Sequence, residues 1–288
     1  MSESTAKKVF RWTDLPTVRL VDDHLARAGF RGDDCILTFN WIDPNMPRWE
    51  PHSHPFDQVV MTMSGRLMVE LDGEAVECGA GSLVHIPANV KHTGWPVGDT
   101  PVLNCDLFAP PRADYLYLTE YQKEFPQAAK NNGRSAYQQI PTASPFSGKM
   151  MKDTKDILFK WDDLPAEQMF GGTLTRTGFR GDDCLITFNW IKPEMKRPEP
   201  HSHPFDQIIV GVEGRHVFEI DGVQTECEAG TIVRVPSNAM HTGWAVGDKT
   251  AFNIDIFAPV RADYLYLTDD QWKRSLRHWN THTSRQAK

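Results

Sequence analysis

The chain has 288 residues, enough for about two domains, and 40% hydrophobic with 24% charged residues is ordinary globular usage that excludes a disordered or low-complexity chain. Lys plus Arg number 31 against 38 Asp plus Glu, a formal net charge of −7, which argues against a nucleic-acid-binding surface. No apolar run approaches the roughly 20 residues of a membrane helix, and the opening MSESTAKKVFRWTDL lacks the apolar core of a signal peptide. Cys35, Cys78, Cys105, Cys184 and Cys227 show no framework spacing, so buried thiols in a reduced, cytoplasmic protein are expected.

An internal repeat organises the chain. With a shift of 149, residues 12–122 lie over 161–271 without a gap, and 63 of those 111 positions are identical. One fold used twice is expected: an N-terminal domain over 1–125, a linker over 126–155 and a C-terminal domain over 156–288. Within the first copy, 35–42, 58–63, 66–71, 82–86 and 102–108 are short runs rich in Val, Ile, Leu, Thr and Phe, bounded by turn residues, and predict strands. Asp72-Gly73 and Asp221-Gly222 carry the signal of a type I′ hairpin turn. A short helix is expected near 119–130, and another in the basic tail after 270. This pattern predicts an all-β chain of two tandem antiparallel barrels or sandwiches with short terminal helices.

Six of the eleven histidines fall at matched positions: 52/201, 54/203 and 92/241. His52 and His54 are two apart and share one face of an extended chain, and Gln58 has the same parity. The whole octapeptide Pro51–Gln58 returns as Pro200–Gln207, giving His201, His203 and Gln207. A hairpin bringing His92 or His241 across the barrel would complete a set of three imidazoles and one amide. Such a set suits one divalent Mn, Fe, Co, Ni or Zn ion per domain.

These residues resemble the cupin family. Its first motif reads G-x5-H-x-H-x3,4-E-x6-G and its second G-x5-P-x-G-x2-H-x3-N. His52-x-His54-x3-Gln58-x6-Gly65 and His201-x-His203-x3-Gln207-x6-Gly214 match the first in spacing. The runs from Gly81 to His92 and from Gly230 to His241 match the second. The resemblance covers about 36–110 and 185–259 and implies a bicupin, two jelly-roll barrels in one chain. There are four departures. The Gly before the first histidine is missing. Asn89 and Asn238 replace the turn Gly, Pro96 and Ala245 replace the closing Asn, and Gln58 and Gln207 replace the Glu ligand.

The last departure bears on the chemistry. Gln is neutral, so a bound ion keeps its full charge and acts as a stronger Lewis acid. The set of three His and one Gln is similar to those of the bicupin isomerases of bacilysin biosynthesis and of manganese cupin hydroxynitrile lyases. The resemblance implies isomerase or lyase chemistry on a small carbonyl- or enol-containing organic acid. Two other readings stay open: an O₂-dependent dioxygenase cleaving an enol, diketone or phenol, and a metal-supported binding protein. A small-molecule substrate is expected, without nucleic-acid or membrane partners, in a monomer or homodimer.

Asp106 and Asp255 are the expected bases, on a strand where Asn104, Asp106 and Phe108 share parity; this face lines either the barrel interior or solvent. Arg66 and Arg215, and also Arg112 and Arg261, recur in both copies and are expected either to clamp a substrate carboxylate or to form surface ion pairs. Tyr115 and Tyr117 read as packing residues. His85, which has Arg234 at its place in the second copy, is expected as a proton shuttle beside the first metal, favouring turnover in the N-terminal half.

Overall fold

A computed structural model describes residues 9–124, 157–269 and 271. The expected linker over 126–155 and the basic tail beyond 271 lie outside the described residues. The predicted strands form as Ile36–Ile42, Gln58–Ser64, Arg66–Leu71, Ser82–Ile86 and Val102–Phe108. Each half pairs a seven-stranded with a three-stranded antiparallel sheet. In the first half the large sheet has Val102–Phe108 at its centre, between Ile36–Ile42 and Gln58–Ser64. The small one is Glu74–Gly79, Arg66–Leu71 and His92–Pro96. At the hairpins Asp72 and Gly73 have φ of 47° and 90°, and Asp221 and Gly222 have 51° and 78°, the doubly positive pattern of a type I′ turn.

The halves exchange edge strands. Val9–Arg11 pairs with Thr231–Val235 of the second half, and Leu158–Lys160 pairs with Ser82–Ile86 of the first. The central strands of the large sheets, Ile36–Ile42, Gln58–Ser64 and Val102–Phe108 in the first half, are largely buried on both faces. Val59, Met61, Cys105 and Leu107 point into one core shared with Ile208, Val210, Ile254 and Ile256 of the other half. The alternate residues Gln58, Val60, Asn104 and Asp106 point into the cavity of their own half. Burial on both faces explains why these strands read as nearly unbroken apolar runs. All five cysteines are buried and unpaired in disulfides.

The short helices are 3₁₀ segments, Ala113–Glu124 and Ala262–Thr268. The first begins before the predicted span. It lies so close to Leu25–Arg31 that a Cβ on Gly29 would sit 2.6 Å from Leu118 Cβ; Gly178 and Leu267 repeat the contact at 2.6 Å. This seating turns Arg112 and Tyr115 toward the barrel cavity. Among the described residues, no helix is long and apolar enough to cross a membrane.

Candidate metal centre

Backbone geometry assembles the histidines. His52 and His92 form an antiparallel bridge through two backbone hydrogen bonds, 2.9 and 2.8 Å. His54 accepts at its carbonyl from the Asn89 N–H at 2.7 Å. Asn89 has φ of 65° and Asn238 of 63°, so Asn takes the left-handed conformation expected of the motif Gly. The ring centroids stand 4.4 Å apart for His52–His92 and 4.8 Å for His54–His92. His201, His203 and His241 repeat this at 4.3 and 4.8 Å.

The side chains aim their nitrogens at a common point. His54 Nδ1 lies 2.7 Å from the Phe56 carbonyl oxygen and His92 Nδ1 lies 2.9 Å from that of Val90. A carbonyl accepts only, so Nδ1 carries the proton and Nε2 presents a lone pair inward. His92 Nε2 and His241 Nε2 are buried without any hydrogen-bond partner. Gln58 Oε1 lies 3.2 Å from His54 Nε2, and Gln207 Oε1 lies 3.1 Å from His203 Nε2. Two acceptors facing each other at that distance call for a cation between them. Burial lowers all six imidazoles, His92 and His241 to about 4, which keeps them neutral and able to ligate. The two His triads, one per half, fit a metal ion.

Around each triad lies a cavity, of about 360 Å³ in the first half and 450 Å³ in the second. Its floor is apolar: Leu25, Ile42, Val60, Val69 and Ile86 in the first half. Its polar wall is Arg27, Asn40, Asn104, Asp106, Arg112 and Tyr115. Arg27 donates through Nε to Asn40 Oδ1 and through Nη1 to the Tyr115 hydroxyl, both at 2.6 Å. Asn40 and Asn104 donate to the two Asp106 oxygens at 3.0 and 2.8 Å. The Arg112 guanidinium lies over the Tyr115 ring at 4.0 Å.

The cupin domain model matches residues 42–106 and 191–257, one match in each half. The chain is a bicupin. This bicupin is similar to the solved structure of AerE from Microcystis aeruginosa, at 18% identity and a TM-score of 0.59 over 84% of this chain and 96% of that one. It is also similar to the formate complex of Lactobacillus farciminis oxalate decarboxylase, at 14% identity and 0.61 over 90% and 88%. A mutant form of Bacillus subtilis oxalate decarboxylase matches at 13% identity and 0.61 over 90% and 78%. No curated protein sequence matches the bicupin.

Several predicted site residues of the bicupin stand elsewhere than expected. Asp106 and Asp255 do line the cavities, but each has both oxygens engaged by Asn amides. Burial pushes Asp106 up and Asp255 up to about 6. Arg66 and Arg215 are no clamp: they lie on the outer sheet, exposed and paired with Glu77 and Glu226 at 3.0 and 2.7 Å. Arg112 and Arg261 line the cavities instead, each also bound to an Asp two residues on. His85 is no shuttle at the metal. It pairs across the sheet with Val59, and its ring faces the joint between halves, 3.2 Å from Asp57. The asymmetry expected from His85 and Arg234 therefore does not lie in the cavities. Tyr115, read as a packing residue, is cavity wall, as is Tyr264 in the second half; Tyr117, read likewise, is exposed. Arg27, Asn40 and their partners Arg176 and Asn189 were missed, although Arg27 and Asn40 are retained in the repeat with an alternation that marks one strand face.

Proposed function

We propose that the bicupin is a metal-dependent enzyme acting on a small carbonyl- or enol-containing organic acid by isomerase or lyase chemistry. The observation that carries this reading is the donor set: three neutral imidazoles and a neutral Gln amide in a half-apolar cavity whose polar wall holds two arginines. His52, His54, His92 and Gln58 would hold a divalent ion, with His201, His203, His241 and Gln207 doing the same in the second half. Such an ion supplies Lewis-acid polarisation of a carbonyl or enol oxygen, and no ligand carboxylate weakens it. Arg27 and Arg112 present guanidinium groups to the carboxylate of the substrate. Their contacts with Asn40, Tyr115 and Asp114 fix the forks before the substrate enters. The apolar floor excludes water from the reacting carbons. Asp106 holds the amides of Asn40 and Asn104 in place.

The deciding experiment incubates the Zn²⁺-loaded chain with a panel of 2-oxo acids, enols and phenols, with and without O₂. Turnover without O₂ by the redox-inert ion supports the reading. Turnover that requires O₂ and a redox-active metal, with oxygen atoms in the product, establishes a dioxygenase instead.

A further inference from the structure

His85 and Arg234 are equivalent positions of the repeat, and both face the joint between the halves. The joint has two matching bays. In one, the buried Asp57 carboxylate accepts the Asp182 backbone N–H at 2.9 Å; in the other, Asp206 accepts that of Asp33 at 3.0 Å. Gly181 permits the close approach, since a Cβ there would lie 2.5 Å from Asp57 Oδ2. Each bay thus sets a carboxylate of one half against a carboxylate of the other.

The second bay is filled by a permanent cation. Arg234 donates through Nε to Asp206 at 3.1 Å and through Nη2 to Asp33 at 2.5 Å, so one guanidinium joins both carboxylates. The first bay has an imidazole at that place. His85 Nε2 lies 3.2 Å from Asp57 Oδ2 and 3.9 Å from Asp182 Oδ1. One ring nitrogen carries one proton and hydrogen-bonds one carboxylate, whereas a metal ion accepts donors from all three groups. The nitrogen and the two carboxylate oxygens lie within 4.8 Å of one another. The His85 and Asp182 side chains keep 10% and 15% exposure, which leaves an edge for an ion to enter.

We infer that Asp57, His85 and Asp182 bind a divalent transition-metal ion between the two halves, a third site apart from the barrel centres, where the ion takes the place held by the Arg234 guanidinium in the other bay. One imidazole and two carboxylates form a nitrogen–oxygen set that suits Zn²⁺, Mn²⁺, Co²⁺ or Fe²⁺. Because the carboxylates come from different halves, the ion also ties the halves together, and its binding stabilises the folded chain.

The test is zinc stoichiometry after equilibrium dialysis of the full chain. His85→Arg copies the other bay and keeps a cation between the carboxylates. It should bind one Zn²⁺ fewer than the wild type, and Asp182→Asn should lose the same ion. A chain with His54→Ala and His203→Ala should retain one Zn²⁺, and zinc should raise its unfolding midpoint unless His85→Arg is added. Equal zinc in the wild type and the His85→Arg chain would overturn the site. Failure of the barrel reading looks different: the His54→Ala, His203→Ala chain would keep the wild-type count while His85→Arg still lost one.

Discussion

Asn40 donates its amide to Asp106 at 3.0 Å, and Asn189 repeats the link to Asp255 at 3.1 Å. Asn104 and Asn253 take the other carboxylate oxygens at 2.8 and 2.6 Å. Gln58 lines the same cavity wall, and its side chain lowers this carboxyl against the effect of burial. Its Oε1 faces His54 Nε2 at 3.2 Å, which leaves the NH₂, its only donor, for the carboxylate side. The Gln58 amide and the buried carboxylate belong together. Gln58→Glu should therefore set two carboxylates side by side and destabilise the metal-free chain by about 1–3 kcal/mol at neutral pH. Adding Asp106→Asn should recover part of that loss. Urea denaturation of the two single variants and the double variant reads the coupling, and strict additivity would show that the two side chains act independently.

The metal reading predicts a count. His54→Ala with His203→Ala removes one imidazole from each triad and exposes Gln58 and Gln207 without their facing nitrogen. Metal content should fall by two equivalents per chain, with the fold kept by circular dichroism. Full retention of metal would remove the barrels as its site.

The two histidine triads that fit a metal ion were legible in the sequence because a retained octapeptide at a fixed offset needs no knowledge of tertiary structure. His85 was not. Gln58 pairs with Ile86 and Val59 with His85, so the cavity side of Ser82–Ile86 follows only from that register. The Asn104–Asp106–Phe108 face was ambiguous for another reason. An alternating strand usually has a solvated face, but here the opposite face meets the other half, so both are buried. Arg66 misled because retention in both copies marks a shared fold as readily as a shared site, and its partner Glu77 is retained as Glu226.

The seat of the 3₁₀ segment can be tested through stability. A methyl group added at Gly29 would meet Leu118 Cβ at 2.6 Å and Thr119 Cγ2 at 3.2 Å, so Gly29→Ala must push the segment off the sheet. The expected cost is about 1–3 kcal/mol, the scale of an overpacked core. The same shift moves Arg112 and Tyr115 at the cavity wall, so KM for an acidic substrate should rise as well. Gly79→Ala is the control: nothing lies within 4 Å of its added Cβ, and it should change stability by less than about 0.5 kcal/mol.

His216 supplies a pH-dependent stability apart from the histidine triads. Its side chain is fully buried, stacked on Phe218 at 5.6 Å, and neither ring nitrogen has a hydrogen-bond partner. Its place in the first half is taken by Leu67. Burial lowers the imidazole from 6.5 to about 4. Below pH 6.5 the unfolded chain therefore takes up a proton that the folded chain refuses, so the unfolded state gains as pH falls and stability drops between 6.5 and about 4. From pH 7 to pH 5 the loss from this one group is about 2 kcal/mol. His216→Leu should remove that component and, by eliminating two buried unpaired nitrogens, stabilise the chain at pH 7 by about 1–3 kcal/mol. Denaturant unfolding at the two pH values, on metal-free protein, compares the slopes. An unchanged difference between pH 7 and pH 5 in the Leu variant would mean that His216 is protonated alike in the folded and unfolded chains.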